Sequence, residues 1–368
     1  MNYVKMLFTY VPYAVLALTA ALFVFRLPVG WKGRTAWMLW LVFCCSKFLG
    51  FKWLGTDVFV PDLPERFIWF WNWAYSGAMI LSALSVACWF RFPRKGLALG
   101  VLSWLLSAGG LWCGIKVPEV REVELPVAGL PVDLDGYRIV HLTDLHASPA
   151  ARGWRTQAVV DRANALKPDL VCLTGDYADG LPERYRSILA PLAGLRARDG
   201  VYAVTGNHEW FLWQQGWLDV IRELGVPLLT NTCVSLRRNL VLAGVNDFRV
   251  QDPMTGTLYG TYPDVGRAFS CATNGEFRIL LQHQPGSAHA NLAGHHVNLQ
   301  LSGHTHGGIM PVLSWFVGRS NEGFVRGLYR FGEAAVYVNS GSGQWPGFPM
   351  RFLVPSEIAL ITLRRARP

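Results

Sequence analysis

Residues 137–146 read Tyr-Arg-Ile-Val-His-Leu-Thr-Asp-Leu-His, a strand-length apolar run that breaks off into a cluster of metal-binding and hydrogen-bonding side chains. The pattern returns four more times. Asp169 to Thr174 leads into Gly175-Asp176, Val201 to Thr205 into Gly206-Asn207-His208-Glu209, Phe277 to Gln282 into His283, and Val297 to Ser302 into Gly303-His304-Thr305-His306. Each run is rich in Val, Leu and Ile and bounded by turn residues, as buried strands are. Stretches of helical period lie between several of them, near residues 155–166, 184–196 and 212–224. Buried strands alternating with helices predict an α/β domain, and in such folds ligands gather at the carboxyl ends of the strands. All five runs therefore deliver candidate ligands to one edge.

An Asp or His directly after a strand is ordinarily a turn former or a helix cap, so one such cluster alone would carry little weight. Five in one chain are not explained that way. The remaining histidines serve as a control. His289, His295 and His296 precede the run at 297–302 and belong to its opposite end, which puts His296 roughly 20 Å from His304 at the rise of an extended strand. They are assigned no role, and His141, inside a strand, is expected to pack in the core.

The clustered side chains supply carboxylate, imidazole and amide groups and no thiolate, a set that suits manganese, zinc or iron. Such a set answers the difficulty of cleaving a phosphate ester, whose anionic oxygens repel a nucleophile and whose leaving alkoxide is poor. Two adjacent metal ions neutralise those oxygens and lower the pKa of a bound water.

Asp144-x-His146, Gly175-Asp176, Gly206-Asn207-His208-Glu209, His283 and Gly303-His304-Thr305-His306, in that order, resemble the signature of the calcineurin-like metallophosphoesterases. The resemblance covers residues 137 to about 363. It implies a two-sheet αββα sandwich and two divalent metal ions. Asp144, His146 and His306 would hold one ion, Asn207, His283 and His304 the other, and Asp176 would bridge them. It further implies that His208 is catalytic, protonating the leaving oxygen or stabilising its charge, and that Asp179 orients it. The tail, with Tyr337-Val338-Asn339-Ser340-Gly341 and Arg351-Phe352 through Glu357, resembles the bacterial membrane-associated branch of that superfamily. Arg351 is the candidate for gripping a substrate phosphate through a bidentate contact, set against a purely structural arginine.

One departure narrows the substrate. Protein Ser/Thr phosphatases carry arginines where this chain has Thr205 and Gly180, so a phosphoprotein is not the expected substrate. Phosphodiester, pyrophosphate and phosphomonoester bonds in small molecules, lipids or envelope precursors remain. A catalytically inactive, metal-binding structural or sensory protein is the alternative, and the intact His208 and Asp179 argue against it.

The chain before residue 118 is different in kind. Of the whole, 51% is hydrophobic and 16% charged, well under the roughly 25% charge of ordinary soluble proteins. Residues 1–117 hold eleven Lys and Arg against three Asp and Glu and ten of the sixteen Trp, whereas residues 118–368 are near balance at twenty-three against twenty-two. A near-neutral second part offers no field for nucleic acid, and no protein partner is inferable. Apolar stretches at 7–25, 35–54, 67–90 and 96–115 match the roughly 20 residues that span a bilayer, the second weakened by Lys47 and Lys52, which are expected to snorkel to an interface. The expected organisation is thus an α-helical transmembrane domain over 1–117 and the phosphoesterase domain over 118–368. The acid-free basic loop at Arg91, Arg94 and Lys95 is expected on the cytoplasmic side. That sends the second domain to the external, periplasmic face of a bacterial inner membrane. No Asp or Glu lies inside the spans, which favours anchoring over transport.

There is no Cys-x-x-Cys pair, and Cys233 and Cys271 are read as free buried thiols rather than a disulfide. Two aromatic stretches, Trp210 to Trp217 and Met310 to Val317, are open to two readings, core packing or a membrane-facing rim.

Overall fold

The protein is described by a computed structural model covering residues 3–56, 61–87, 96–211, 214–248, 258 and 260–366. It forms two compact units, Met1–Ile115 with Pro346–Met350, and Lys116–Trp345 with Arg351–Pro368.

The first unit is helical, with α1 (Tyr3–Leu22), α2 (Trp31–Cys45), α3 (Lys47–Trp53), α4 (Glu65–Ala87) and α5 (Gly96–Ile115). α5 turns its small residues Gly100, Ser103, Ser107, Gly110 and Gly114 inward, while Val101, Leu105 and Trp112 face out. Small residues let helix backbones approach closely in lipid. Gly77 of α4 shows the requirement: a Cβ there would lie 2.4 Å from Nε1 of Trp104. Among the described residues α5 alone is both long and apolar enough to cross a bilayer.

The stretch at 35–54 departs from the expected single span. It breaks at Ser46, whose amide bonds back to the carbonyls of Val42 and Phe43 and whose Oγ donates to Phe43 O at 2.7 Å, leaving pieces of 15 and 7 residues. Lys47 does not snorkel. It is buried, with Nζ donating to Asn72 Oδ1 and to Gly347 O, each at 2.6 Å. The basic loop at Arg91, Arg94 and Lys95 lies outside the described residues.

The second unit stacks two mixed sheets. β1 (Glu119–Val127), β2 (Arg138–Leu142), β3 (Leu170–Thr174), β4 (Val201–Val204) and β11 (Glu357–Arg365) form one, in the order β1-β11-β2-β3-β4. β5 (Thr232–Arg237), β6 (Leu240–Gly244), β7 (Phe277–Leu281), β8 (Leu299–Ser302), β9 (Gly327–Phe331) and β10 (Ala334–Val338) form the other, in the order β5-β6-β7-β8-β10-β9. β2, β3 and β4 run parallel to one another, as do β6, β7, β8 and β10. Strand alternation divides the side chains between two cores. Ile139, Leu170 and Cys172 meet Leu242, Ile279 and Leu301 between the sheets. Val140, Leu142, Val171 and Leu173 face outward onto α6 (Gly153–Ala165), α7 (Pro182–Leu189) and α9 (Gln214–Glu223). α8 (His208–Phe211), α10 (Val265–Ala268), α11 (Ala288–His295) and α12 (Pro311–Ser320) complete the helices of this unit. The second sheet's outer face is covered by Val265, Ala268 and Phe269 and by Ala288 and Phe324.

Cys233 and Cys271 are joined in a disulfide, which corrects the free-thiol reading. The chain returns through α10 to edge strand β5 and brings the two Cα atoms to 6.1 Å, within bonding range. Spacing in sequence carries no trace of that return.

Candidate metal centre

The parallel strands β2, β3, β7 and β8 end side by side, and the residues just beyond them are held in an uncommon backbone conformation. Asp144, His146, Asp176, His304 and His306 all have positive φ, between 48° and 70°. Left-handed backbone costs a non-glycine residue about 1 kcal/mol or more, and such residues concentrate at functional sites. Here each ligand-bearing turn is tied down. Thr143 Oγ1 donates to Asp144 Oδ2 at 2.9 Å, and the amide of His304 donates to the same oxygen at 3.0 Å. The amide of His208 donates to Asp176 Oδ1 at 2.9 Å. Glu209, fully buried, accepts from the amides of Gly206, Asp176 and Tyr177 at 2.7–2.9 Å and so clamps two motifs together. Two glycines are required by closeness: a Cβ on Gly206 would stand 2.2 Å from Asp176 Oδ1, and one on Gly303 2.4 Å from Asp144 Oδ2.

Among the described residues three groups of possible ligand atoms result, the atoms of each within 4.8 Å of one another: His146 with Asp179 and His208, and the two that fit the expected ion sites, Asp144, His146 and His306 in one and Asp176, His283 and His304 in the other. Asp176 lies between them, its Oδ2 3.2 Å from His283 Nε2 and 3.9 Å from both His146 Nε2 and His208 Nε2. Asn207 Oδ1 is 3.2 Å from His283 Nε2. The chemistry of these atoms fits cations. His283 Nδ1 donates to Thr174 O at 2.6 Å, so a neutral ring turns a bare Nε2 lone pair toward two acceptor oxygens. His146 Nε2 and His306 Nε2 are 3.1 Å apart, near the roughly 3.3 Å of two nitrogens sharing one tetrahedral metal with bonds of about 2.05 Å.

Charge tells the same story. Burial raises the Asp144 carboxyl, with Asp176 adding to the rise while His283 and His146 oppose it. At Asp176 burial is overcome by His283, His208 and His146, which hold its carboxyl well below the usual range. Burial alone would lower His283, but Asp176 and Asp144 push it up to about 10. The carboxylates thus favour positive charge at the place a metal would take.

Asp179 joins the centre to His208. Its Oδ2 accepts from His146 Nδ1 at 2.8 Å, and its Oδ1 from His208 Nδ1. Each ring is therefore fixed with Nε2 facing the centre, an orientation that metal ligands commonly receive from a carboxylate behind them. Burial works against a charge on His208, yet Asp176 and Asp179 raise it to about 9. Both carboxylates thus favour the protonated ring, the form a general acid requires.

Arg351 is only 2% exposed. Its guanidinium donates to His306 O at 2.6 Å and to Gly343 O at 3.3 Å, and lies 3.0 Å from His306 Nδ1. It positions the His306 loop from behind, where the sequence had suggested a grip on substrate. His141 sits in the core as expected, its Nε2 2.8 Å from Thr174 Oγ1.

Three contributors were missed. Glu209 stood in a quoted motif without a role. Asp247, buried beyond β6, holds Gln284 Nε2 with both oxygens at 2.8 and 2.9 Å, beside His283. The run Leu240–Gly244 followed by Val245-Asn246-Asp247 has the same strand-then-polar form as the others and was the available signal. Trp345 stands edge-on to His208, ring centroids 6.4 Å apart, with no marker in the sequence.

A two-sheet α/β fold with paired acceptor groups at its strand ends and a carboxylate-oriented histidine beside them fits a metal-dependent hydrolase. Residues 137–308 match the family model of the calcineurin-like phosphoesterases. A zebrafish (Danio rerio) transmembrane protein with a metallophosphoesterase domain is 35% identical over 75% of this chain and 64% of its own length. Metallophosphoesterases of Helicobacter pylori and Campylobacter jejuni, both uncharacterised, are 32% and 34% identical over 74% and 73% of this chain and 70% and 69% of their own lengths. The chain belongs to the calcineurin-like phosphoesterase family and is a metal-dependent phosphoesterase. It spans just under two thirds of the length of the zebrafish relative.

Asp176→Ala removes the carboxylate between the two groups and should abolish occupancy of both metals, read by elemental analysis of protein whose circular dichroism is unchanged. Full metal content in that variant would overturn the bridging role. Because His283 is raised to about 10, its proton must leave before Nε2 can bind. Metal affinity should therefore climb as pH rises toward that value, and loading at neutral pH should release at least about one proton per chain. Calorimetry in buffers of different ionisation enthalpy measures the release, and a value of zero would contradict the assignment.

Proposed function

We propose that the chain is a membrane-anchored phosphoesterase that uses two divalent ions, manganese, zinc or iron, to hydrolyse a phosphodiester, pyrophosphate or phosphomonoester on the external face of a membrane. The observation that carries the chemistry is the shared Asp179 carboxylate, which couples a ligand, His146, to an acid, His208. Ions held by the two groups supply charge neutralisation at the phosphate oxygens and an acidified water. The residues do the rest. Asp144, His146 and His306 hold one side, Asn207, His283 and His304 the other, and Asp176 spans both. His208 Nε2, 3.9 Å from Asp176 Oδ2, delivers its proton to the leaving oxygen while Asp179 keeps the ring aligned and the charge stable. Thr205 and Gly180, in place of arginines, turn the site away from phosphoproteins.

Anchoring is supported by the length and apolarity of α5 and by the small-residue packing of its inner face. The external orientation is supported by the basic loop at Arg91, Arg94 and Lys95 and by the Cys233–Cys271 bridge, since disulfides persist in oxidising compartments.

His208→Gln should retain both metals and slow turnover by about 10²- to 10⁴-fold, with a smaller loss for nitrophenyl esters, whose leaving group needs no proton. Collapse of metal content would make His208 a ligand instead. Alkaline phosphatase and a fluorescent protein, fused separately after Pro368, test the orientation. An active phosphatase and a dark fluorophore are expected, and the opposite pair would place the site in the cytoplasm.

A further inference from the structure

α12 follows the His306 loop directly and carries its aromatic residues outward. Trp315 is 62% exposed and Phe316 53%, their ring centroids 4.8 Å apart. The Arg319 guanidinium lies 5.4 Å from the centroid of Trp315. Leu353, 73% exposed, follows Arg351 and Phe352, which are bonded to the same loop. Both segments are built onto the metal centre. Ser314 Oγ reaches Gly307 O at 3.5 Å, one residue past His306, and a Cβ on Gly308 would meet Ser314 Cα at 2.7 Å. The amide of Phe352 donates to Ile309 O at 3.1 Å, and Arg351 holds His306.

Scattered exposed apolar residues are normal, whereas adjoining large ones beside a site mark a contact surface. The composition identifies the occupant. Tryptophan, phenylalanine and a cation, on a helix with no acidic residue, are the side chains that settle among lipid headgroups. Ten residues make about 15 Å of helix, half of a hydrocarbon core of about 30 Å, so α12 is suited to lie along a membrane and not to cross it.

We propose that the outward face of α12 rests in the headgroup layer of an anionic bilayer, and that the phosphoester hydrolysed is carried by a membrane lipid. Trp315 and Phe316 enter the interface, Arg319 meets the anionic headgroups, and the adjoining His306 loop receives the phosphoester from the membrane plane. This rests on the phosphoesterase reading and names its substrate class.

The test uses the full chain in phosphatidylcholine–phosphatidylglycerol vesicles, with Phe316→Cys carrying an environment-sensitive fluorophore and Asp219→Cys as an exposed control. Residue 316 should be quenched by nitroxide-labelled lipid and shielded from iodide, and the control should behave oppositely. Iodide quenching of residue 316 as strong as that of the control overturns the proposal, and so does quenching by neither agent, which would mean that protein covers the face. Pure phosphatidylcholine, or Arg319→Gln, should weaken the lipid quenching. For the substrate, Trp315→Ser/Phe316→Ser should lower the turnover of a phosphatidyl-nitrophenol diester relative to soluble bis(p-nitrophenyl) phosphate by about tenfold, equivalent to about 1.4 kcal/mol. An unchanged ratio, or a parent protein that cleaves the soluble diester alone, overturns the lipid assignment. A parent that cleaves p-nitrophenyl phosphate or pyrophosphate but neither diester also overturns the lipid assignment, and one that cleaves none of the four sinks the phosphoesterase reading itself.

Discussion

Two buried carboxylates, Asp144 and Asp176, stand among imidazole nitrogens and an amide oxygen, with no ion pair to a lysine or arginine at either among the described residues, and the rest of the catalytic unit follows from that crowding of negative charge and lone pairs. Such an arrangement is unstable without positive charge inside it. Protons on His283 and His208 supply it in the metal-free chain, which is why both are raised although burial opposes them. Dications supply it better, because they also satisfy the lone pairs of His146, His306 and Asn207. The left-handed backbone at five ligand residues belongs to the same constraint. It turns side chains from separate strands toward one point, and the Glu209 clamp and the amides of His208 and His304 oppose its relaxation.

The parallel order of β2, β3 and β4, and of β6, β7 and β8, sets the ligand loops at a common edge, which is why the site could be read from sequence at all. Each ligand follows its strand within a few residues, so local pattern and long-range position carry the same information. Where they part, the sequence is silent. Arg351 is polar and lies in the right tail, but only the folded chain shows its guanidinium spent on His306 O. Asp247 follows β6 as Asp176 follows β3, yet it holds Gln284 and stands one step behind the ligands. β1 lacks the unbroken apolar run of the inner strands because it is an edge strand, paired on one side only, with β11. The break at Ser46 depends on an Oγ contact that leaves the hydropathy of 35–54 unchanged.

The two aromatic stretches show the same limit from the other side. Their compositions are alike, and their surroundings differ. Trp217 lies on α9 against the outer face of the first sheet, its Nε1 donating to Gly180 O at 2.8 Å. Trp210 is packed so closely that a Cβ on Gly260 would meet its ring at 2.5 Å. Trp210 and Trp217 are core, not rim. α12 presents Trp315 and Phe316 to the outside, where no sheet takes them up. An amphipathic period fixes which residues share a face but not what the face meets. For α9 the answer is the protein's own sheet. For α12 it must come from outside this unit, and the cation over Trp315 together with the absence of any acid on the helix favours anionic headgroups over a second apolar protein surface. The aromatic face and the His306 loop belong to one structural element, so under the proposed reading contact with the membrane and presentation of substrate would be a single event.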